Sequence, residues 1–188
     1  MTTKKLKIES ITLVMEEDTN GDASTLGEWT DDLDDWNIVR ATGQCVKEMT
    51  DQGTIGPVCV TEFPPRGSFF RCFKPYAGGE KPGTKEYKKY GLQDWKRMEA
   101  LNKCEWNYIG IHAEAVVSYP CRTSDARRME TLRSSGLWGI ESDAGKTYFL
   151  SVVKEELADL RSHLAAFGVV LLDFDGLAKT AKEKCTWL

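Results

Sequence analysis

The chain has 188 residues, 41% hydrophobic and 29% charged, with a net charge of −4. That balance fits a folded globular protein and excludes a disordered polyelectrolyte. No apolar run approaches the ~20 residues of a membrane span, the longest being the strand-sized Val169–Leu172.

The opening MTTKKLKIES is basic but has no apolar stretch behind it, so a cytoplasmic protein is expected rather than a secreted one. Six cysteines (Cys45, Cys59, Cys72, Cys104, Cys121, Cys185) are scattered without a C-x-x-C pair. Zinc-knuckle geometry needs close ligand pairs, so mostly buried free thiols are expected, with no metal and no cofactor. One α+β domain over 1–188 is expected, with an acidic loop-rich segment at 16–35 and a weakly ordered tail at 176–188.

In chain order, LKIESITLVM (6–15) reads as a first strand from its β-branched and apolar residues. Between Lys7 and Arg40 lie ten acids and no base, with Asn20-Gly21 as a turn signal. From Arg66 to Lys103 the balance reverses to ten bases and four acids. Such a layout attracts partners of either sign or folds one region against the other. Short strands are expected at 55–61 and 69–73, and a loop at PYAGGEKPG (75–83).

Thr84 has the character of an N-cap for a helix to about Lys103. Tyr87, Gly91, Trp95, Met98 and Leu101 step by three and four along one face of it. Asp94 and Glu99 read as charged surface on this helix. NYIGIHAEAVVSY alternates as a strand: Ile109, Ile111, Ala113, Ala115, Val117 and Tyr119 on one face, His112 and Glu114 on the other. Another strand is expected from Met129 into Trp138.

Phe149, Val153, Leu157, Leu160, Leu164 and Phe167 then recur at helical spacing, and Gly168 sits at a C-cap position. Val169–Phe174 reads as a last strand or extended segment, and the remaining tail as a weak helix. The expected architecture is α+β, a mostly antiparallel sheet with two main amphipathic helices packed on one face.

Several motifs invite a catalytic reading and fail on spacing. Gly145-Lys146-Thr147 ends like a phosphate-binding loop, but position six before Lys146 is Ile140, and Glu141 and Asp143 would repel a triphosphate. Ser142 or Asp143 reads instead as the helix cap. VVLLDFDGLAKT resembles the first motif of haloacid-dehalogenase-like phosphatases through Asp173 and Asp175, yet only 13 residues follow, too few for the later acids that motif requires. No nucleophile elbow occurs. The aromatic residues among the bases of 66–103 suit single-stranded nucleic acid, but Tyr87 and Trp95 belong to a helix core face, which argues against direct nucleic-acid binding.

GLWGIESD (136–143), LGEWTD (26–31) and QDWKRMEALNKCEWNYIGIHAEA (93–115) together resemble an uncharacterised family of small bacterial and phage proteins. The resemblance spans roughly Leu26 to Gly168. It implies a phage or mobile-element setting in a bacterial host cytoplasm, and no particular reaction.

Two readings of GLWGIESD follow from its residues. Trp138 is an exposed platform with Glu141 and Asp143 as acceptors or metal ligands, or it plugs the core while the acids serve the helix terminus. The expected function is non-enzymatic protein binding that counteracts a bacterial defence system. The candidate binding residues are Glu28, Trp29, Trp36, Trp138, Glu141 and Asp143, since tryptophans dominate interfaces and Trp29 and Trp36 sit among acids. The alternative is a small metal-dependent hydrolase using His112, Glu114, Glu141 and Asp143.

Overall fold

The structure is a computed structural model that describes residues 6–30, 49–50, 53–54, 72–121 and 126–188. It is α+β, with three α-helices and antiparallel sheets among the described residues. The chain divides into two compact units, 1–21 with 107–188 and 22–106. In sequence, the second is an insert in the first.

In the first unit, β1 (Lys7–Glu17) pairs antiparallel with β6 (Tyr108–Pro120) along almost its whole length. The far edge of β6 is shared end to end by β7 (Arg127–Arg133) and β8 (Leu137–Glu141). The single strand expected from Met129 into Trp138 is therefore two. They are separated at Ser134–Gly136, where the Ser134 N–H bonds to the Ala113 carbonyl and its Oγ accepts from the Ala113 N–H.

α2 (Lys146–Ala166) and α3 (Phe174–Lys184) bury their apolar residues against one face of this sheet. Ile11, Leu13, Ile109, Ile111, Ala113 and Val117 meet Val153, Leu157, Leu160 and Leu164 there. Each fully buried aliphatic side chain contributes roughly 1.5–3 kcal/mol of transfer free energy. The two-helix layer is thus built partly from the tail. Phe174–Lys184 form a helix with Phe174, Ala178 and Ala181 buried. Instead of a strand to Phe174, only an isolated parallel bridge from Lys7 to Val170 forms.

α2 departs from expectation at both ends. Gly145 is its N-cap with no side-chain bond, because Ser142 faces away and pairs with Asn107. At the other end Phe167 lies 65% exposed, beyond the last buried turn, and Gly168 follows with φ +76°. Along one flank, α2 binds the gap between β7 and β8. The Glu156 carboxylate accepts the Gly136 N–H (3.0 Å), Asp159 accepts the Ser135 N–H (2.7 Å), and His163 Nδ1 lies 2.9 Å from the Arg133 carbonyl. Spacings of three and four put these three side chains on one stripe. Asp159 is held below the ordinary aspartate range, first by the Ser135 backbone bond.

In the second unit, β2 (Gly27–Thr30) pairs with β5 (Cys72–Pro75), and β3 (Met49–Thr50) pairs with β4 (Gly53–Thr54). α1 (Lys85–Asn102) starts at Thr84, whose hydroxyl accepts the Tyr87 N–H at 3.1 Å. Tyr87, Gly91, Trp95 and Met98 are buried on the predicted face, and Trp95 and Met98 pack on Phe73. Asp94 is not surface decoration. Its Oδ2 accepts the N–H of buried Ala77 (2.6 Å), and burial raises its pKa. The expected strand at 55–61 lies outside the described residues. Cys104 is exposed and Cys121 and Cys185 half-buried, so the free thiols among the described residues are less buried than expected.

Candidate functional site

β6 turns its even-numbered residues away from α2 and α3, and this second face is where the polar groups gather. Its chemistry begins with a glycine. Gly110 stands inside a strand, where a missing side chain signals close approach of another group. The group is Trp138: a Cβ on Gly110 would overlap the indole ring. The indole lies over bare backbone and remains 46% exposed. Trp138 is therefore a surface platform, and its core-plug reading fails because Gly110 leaves it a flat seat outside the core.

Two features fix the strand that carries it. Gly136 and Gly139 adopt φ +79° and +73°, a region costly for other residues, and the β6–β8 register shifts between Ile109 and Ile111. Asp18 then accepts the Gly139 N–H with Oδ2 (2.9 Å) and the Asn20 N–H with Oδ1 (2.9 Å). The end of β1 is thereby tied to the Trp138 turn.

Between them lies a solvent-open groove of about 630 Å³ lined by Glu16, Glu17, Asp18, Thr19, Asn20 and Trp138. Three carboxylates and one aromatic face make it a negative site with an apolar wall.

Behind the groove, His112 is 4% exposed. Its Nε2 lies 3.1 Å from Glu114 Oε1, and its Nδ1 lies 3.7 Å from Glu16 Oε1 with no hydrogen-bond partner. Glu114 also accepts from Arg133 Nε at 2.8 Å. An ionised carboxylate can only accept, so His112 Nε2 is the donor in the contact with Glu114. Farther along the same face, Ser118 donates to Glu9 and accepts from Arg127 Nε (2.8 Å). The Ser118 hydroxyl is the main cause holding Glu9 below the usual glutamate range. On this face His112, Glu114 and Ser118 are each held by a neighbouring polar side chain.

The four side chains of the hydrolase alternative do not gather. His112 and Glu114 are bonded to each other, while Glu141 pairs with Tyr108. That is four residues, about 13 Å of strand, from His112. Asp143 lies farther on, past Ser142, which bonds Asn107. Among the described residues, no three His, Cys, Asp or Glu side chains are grouped so as to hold a metal ion. Asp175 pairs with Arg161 at 2.8 Å, and no strand delivers Asp173, so the phosphatase geometry is also missing.

Of the other candidate binding residues, Glu28 is exposed on β2 and pairs with Lys74 at 2.9 Å. Only the backbone of Trp29 is described, opposite Phe73, and Trp36 lies outside the described residues. Glu16 and Asp18 passed in the sequence as anonymous members of an acidic run. The signal for the platform was Gly110 itself. No described helix is long and apolar enough to cross a membrane.

The class these elements define is α+β. No family model matches the chain, and no curated protein or solved structure does.

Proposed function

We propose that this protein is a non-enzymatic binding protein that docks another protein through the Trp138 groove. One observation carries the reading: an indole seated on Gly110, 46% exposed, at the wall of an acid-lined groove. An exposed tryptophan held rigid is the usual anchor of a protein interface, because it offers large area at little entropic cost. Among the described residues, no three His, Cys, Asp or Glu side chains are grouped to hold a metal ion, and His112, Glu114 and Ser118 pair with near neighbours, which favours binding over catalysis. The GLWGIESD resemblance supplies the setting, a phage or mobile-element protein that acts on a bacterial host protein such as a defence component.

Affinity capture from bacterial lysate, run in parallel with wild type and Trp138→Ala, tests the proposal. A protein retained by wild type and lost with the variant is the expected result. Equal retention by both would move the interface elsewhere, and no specific retention by either would end the docking reading.

A further inference from the structure

We infer that the solvent face of α1, in the second unit, binds single-stranded nucleic acid, an inference that does not depend on the docking reading above. It starts from a line of lysines. Tyr87, Gly91, Trp95 and Met98 turn one side of α1 to the core. Lys85, Lys89 and Lys96, at steps of four and seven, therefore fall along the opposite side, where all three are exposed. The line covers roughly 16 Å of helix, and exposed Lys88 lies beside it.

A surface helix ordinarily offsets its bases with acids one turn away. The three acids of α1 do little of that here. Asp94 is turned inward to the Ala77 N–H (2.6 Å) and Glu99 pairs with Lys103 (3.5 Å). Glu86 alone is left against Lys85, Lys88, Lys89 and Lys96. Lys85 and Lys89 stand one turn apart, a like-charge pair that costs helix stability. The whole chain carries −4, so this positive face runs against the overall composition. A polyanion laid along it relieves the repulsion.

The aromatic residues choose among polyanions. Burial takes Tyr87 and Trp95 out of this basic region, but Tyr76 is 59% exposed and Tyr90 38%. They share one flank of α1: Asp94, one turn beyond Tyr90, holds the N–H of Ala77, the residue after Tyr76. Lys89 Nζ lies 5.3 Å from the Tyr90 ring centroid, which puts charge and ring side by side. Exposed rings beside cations stack unpaired bases whatever their sequence. A duplex keeps its base faces covered, and an acidic protein segment has no base to stack. A membrane surface is a poor fit, because the apolar side of α1 already faces the core.

The test titrates the full chain into a fluorescein-labelled oligothymidylate of about 16 nucleotides, the long end of single-strand site sizes, and reads anisotropy. Saturable binding at low salt is expected, with log affinity falling against log salt at a slope of about −2 to −3, as three or four phosphate contacts require. Lys85→Gln/Lys89→Gln/Lys96→Gln is expected to weaken binding at least ~10-fold and to remove about two units of that slope. Should circular dichroism show that variant unfolded, Lys96→Gln alone is expected to remove about 0.7. Tyr76→Ala/Tyr90→Ala should weaken binding at least ~5-fold and leave the slope intact. Lys179→Gln/Lys182→Gln/Lys184→Gln, an equal loss of charge on α3, should leave it intact too. Absence of binding at low salt would overturn the inference, as would an equal effect of the α3 variant. Equal affinity for a duplex would overturn the single-strand assignment, and equal competition by charge-matched polyglutamate would give the face to an acidic protein instead.

Discussion

The two faces of β6 use one strand for opposite purposes. Toward α2 and α3 it presents Ile109, Ile111, Ala113, Ala115 and Val117, all closed off from water. Away from them it presents Gly110, His112, Glu114 and Ser118, each matched to a specific partner rather than to a general apolar layer. The first face is held by area and tolerates shape-preserving exchange. The second is held by individual bonds and by a close approach that only glycine permits. Stability is therefore concentrated on one side, and recognition has room on the other.

The sharpest way to break that contrast is to damage the apolar side. Leu160→Ala empties a fully buried position and is expected to lower stability by about 3–4 kcal/mol in chemical denaturation. Gly110→Ala forces the Trp138 ring off its seat, at an expected ~1–3 kcal/mol, and should displace the indole resonance even where the fold survives. Glu156→Ala leaves the Gly136 N–H without its acceptor and should cost about 1–2 kcal/mol, most of it restored in Glu156→Gln. Trp138→Ala should change stability by less than about 1 kcal/mol while abolishing binding in the groove.

The smallest effect is electrostatic. Asp159 has its folded pKa lowered, so its contribution is present above the unfolded value near 3.8 and is lost as pH falls through the lower folded value. The stability gap between wild type and Asp159→Asn should accordingly close as a denaturation series is carried below about pH 3.8.

The apolar face was legible because alternation in 109–119 and helical spacing in 149–164 are properties of the chain alone. Thr84 was legible for the same local reason. Other features depend on atoms distant in sequence. Ser142 was expected to cap a helix, yet Asn107 claims it, and a cap motif cannot reveal that competition. Asp94 looked like surface until the Ala77 N–H, 17 residues away, came to meet it. The tail looked weak because its helix carries few large apolar residues, but the sheet supplies the surface those few require. As for the groove, GLWGIESD announced a special place, while its partner stretch, Glu16–Asn20, had no mark beyond charge.

The register of β1 on β6 has one more implication. Ile109 lies opposite Glu17, and the Asp18 N–H donates to the Tyr108 carbonyl at 2.9 Å, so the chain leaves and re-enters the first unit at neighbouring points. Residues 22–106 are in effect a long excursion from the tip of a hairpin. Splicing Gly21 to Asn107 with a short turn would shorten the loop to be closed without disturbing any strand pair of the first unit. It would also turn the most sequence-distant pairing in the sheet into a local one, speeding the step that waits for those two strands to meet.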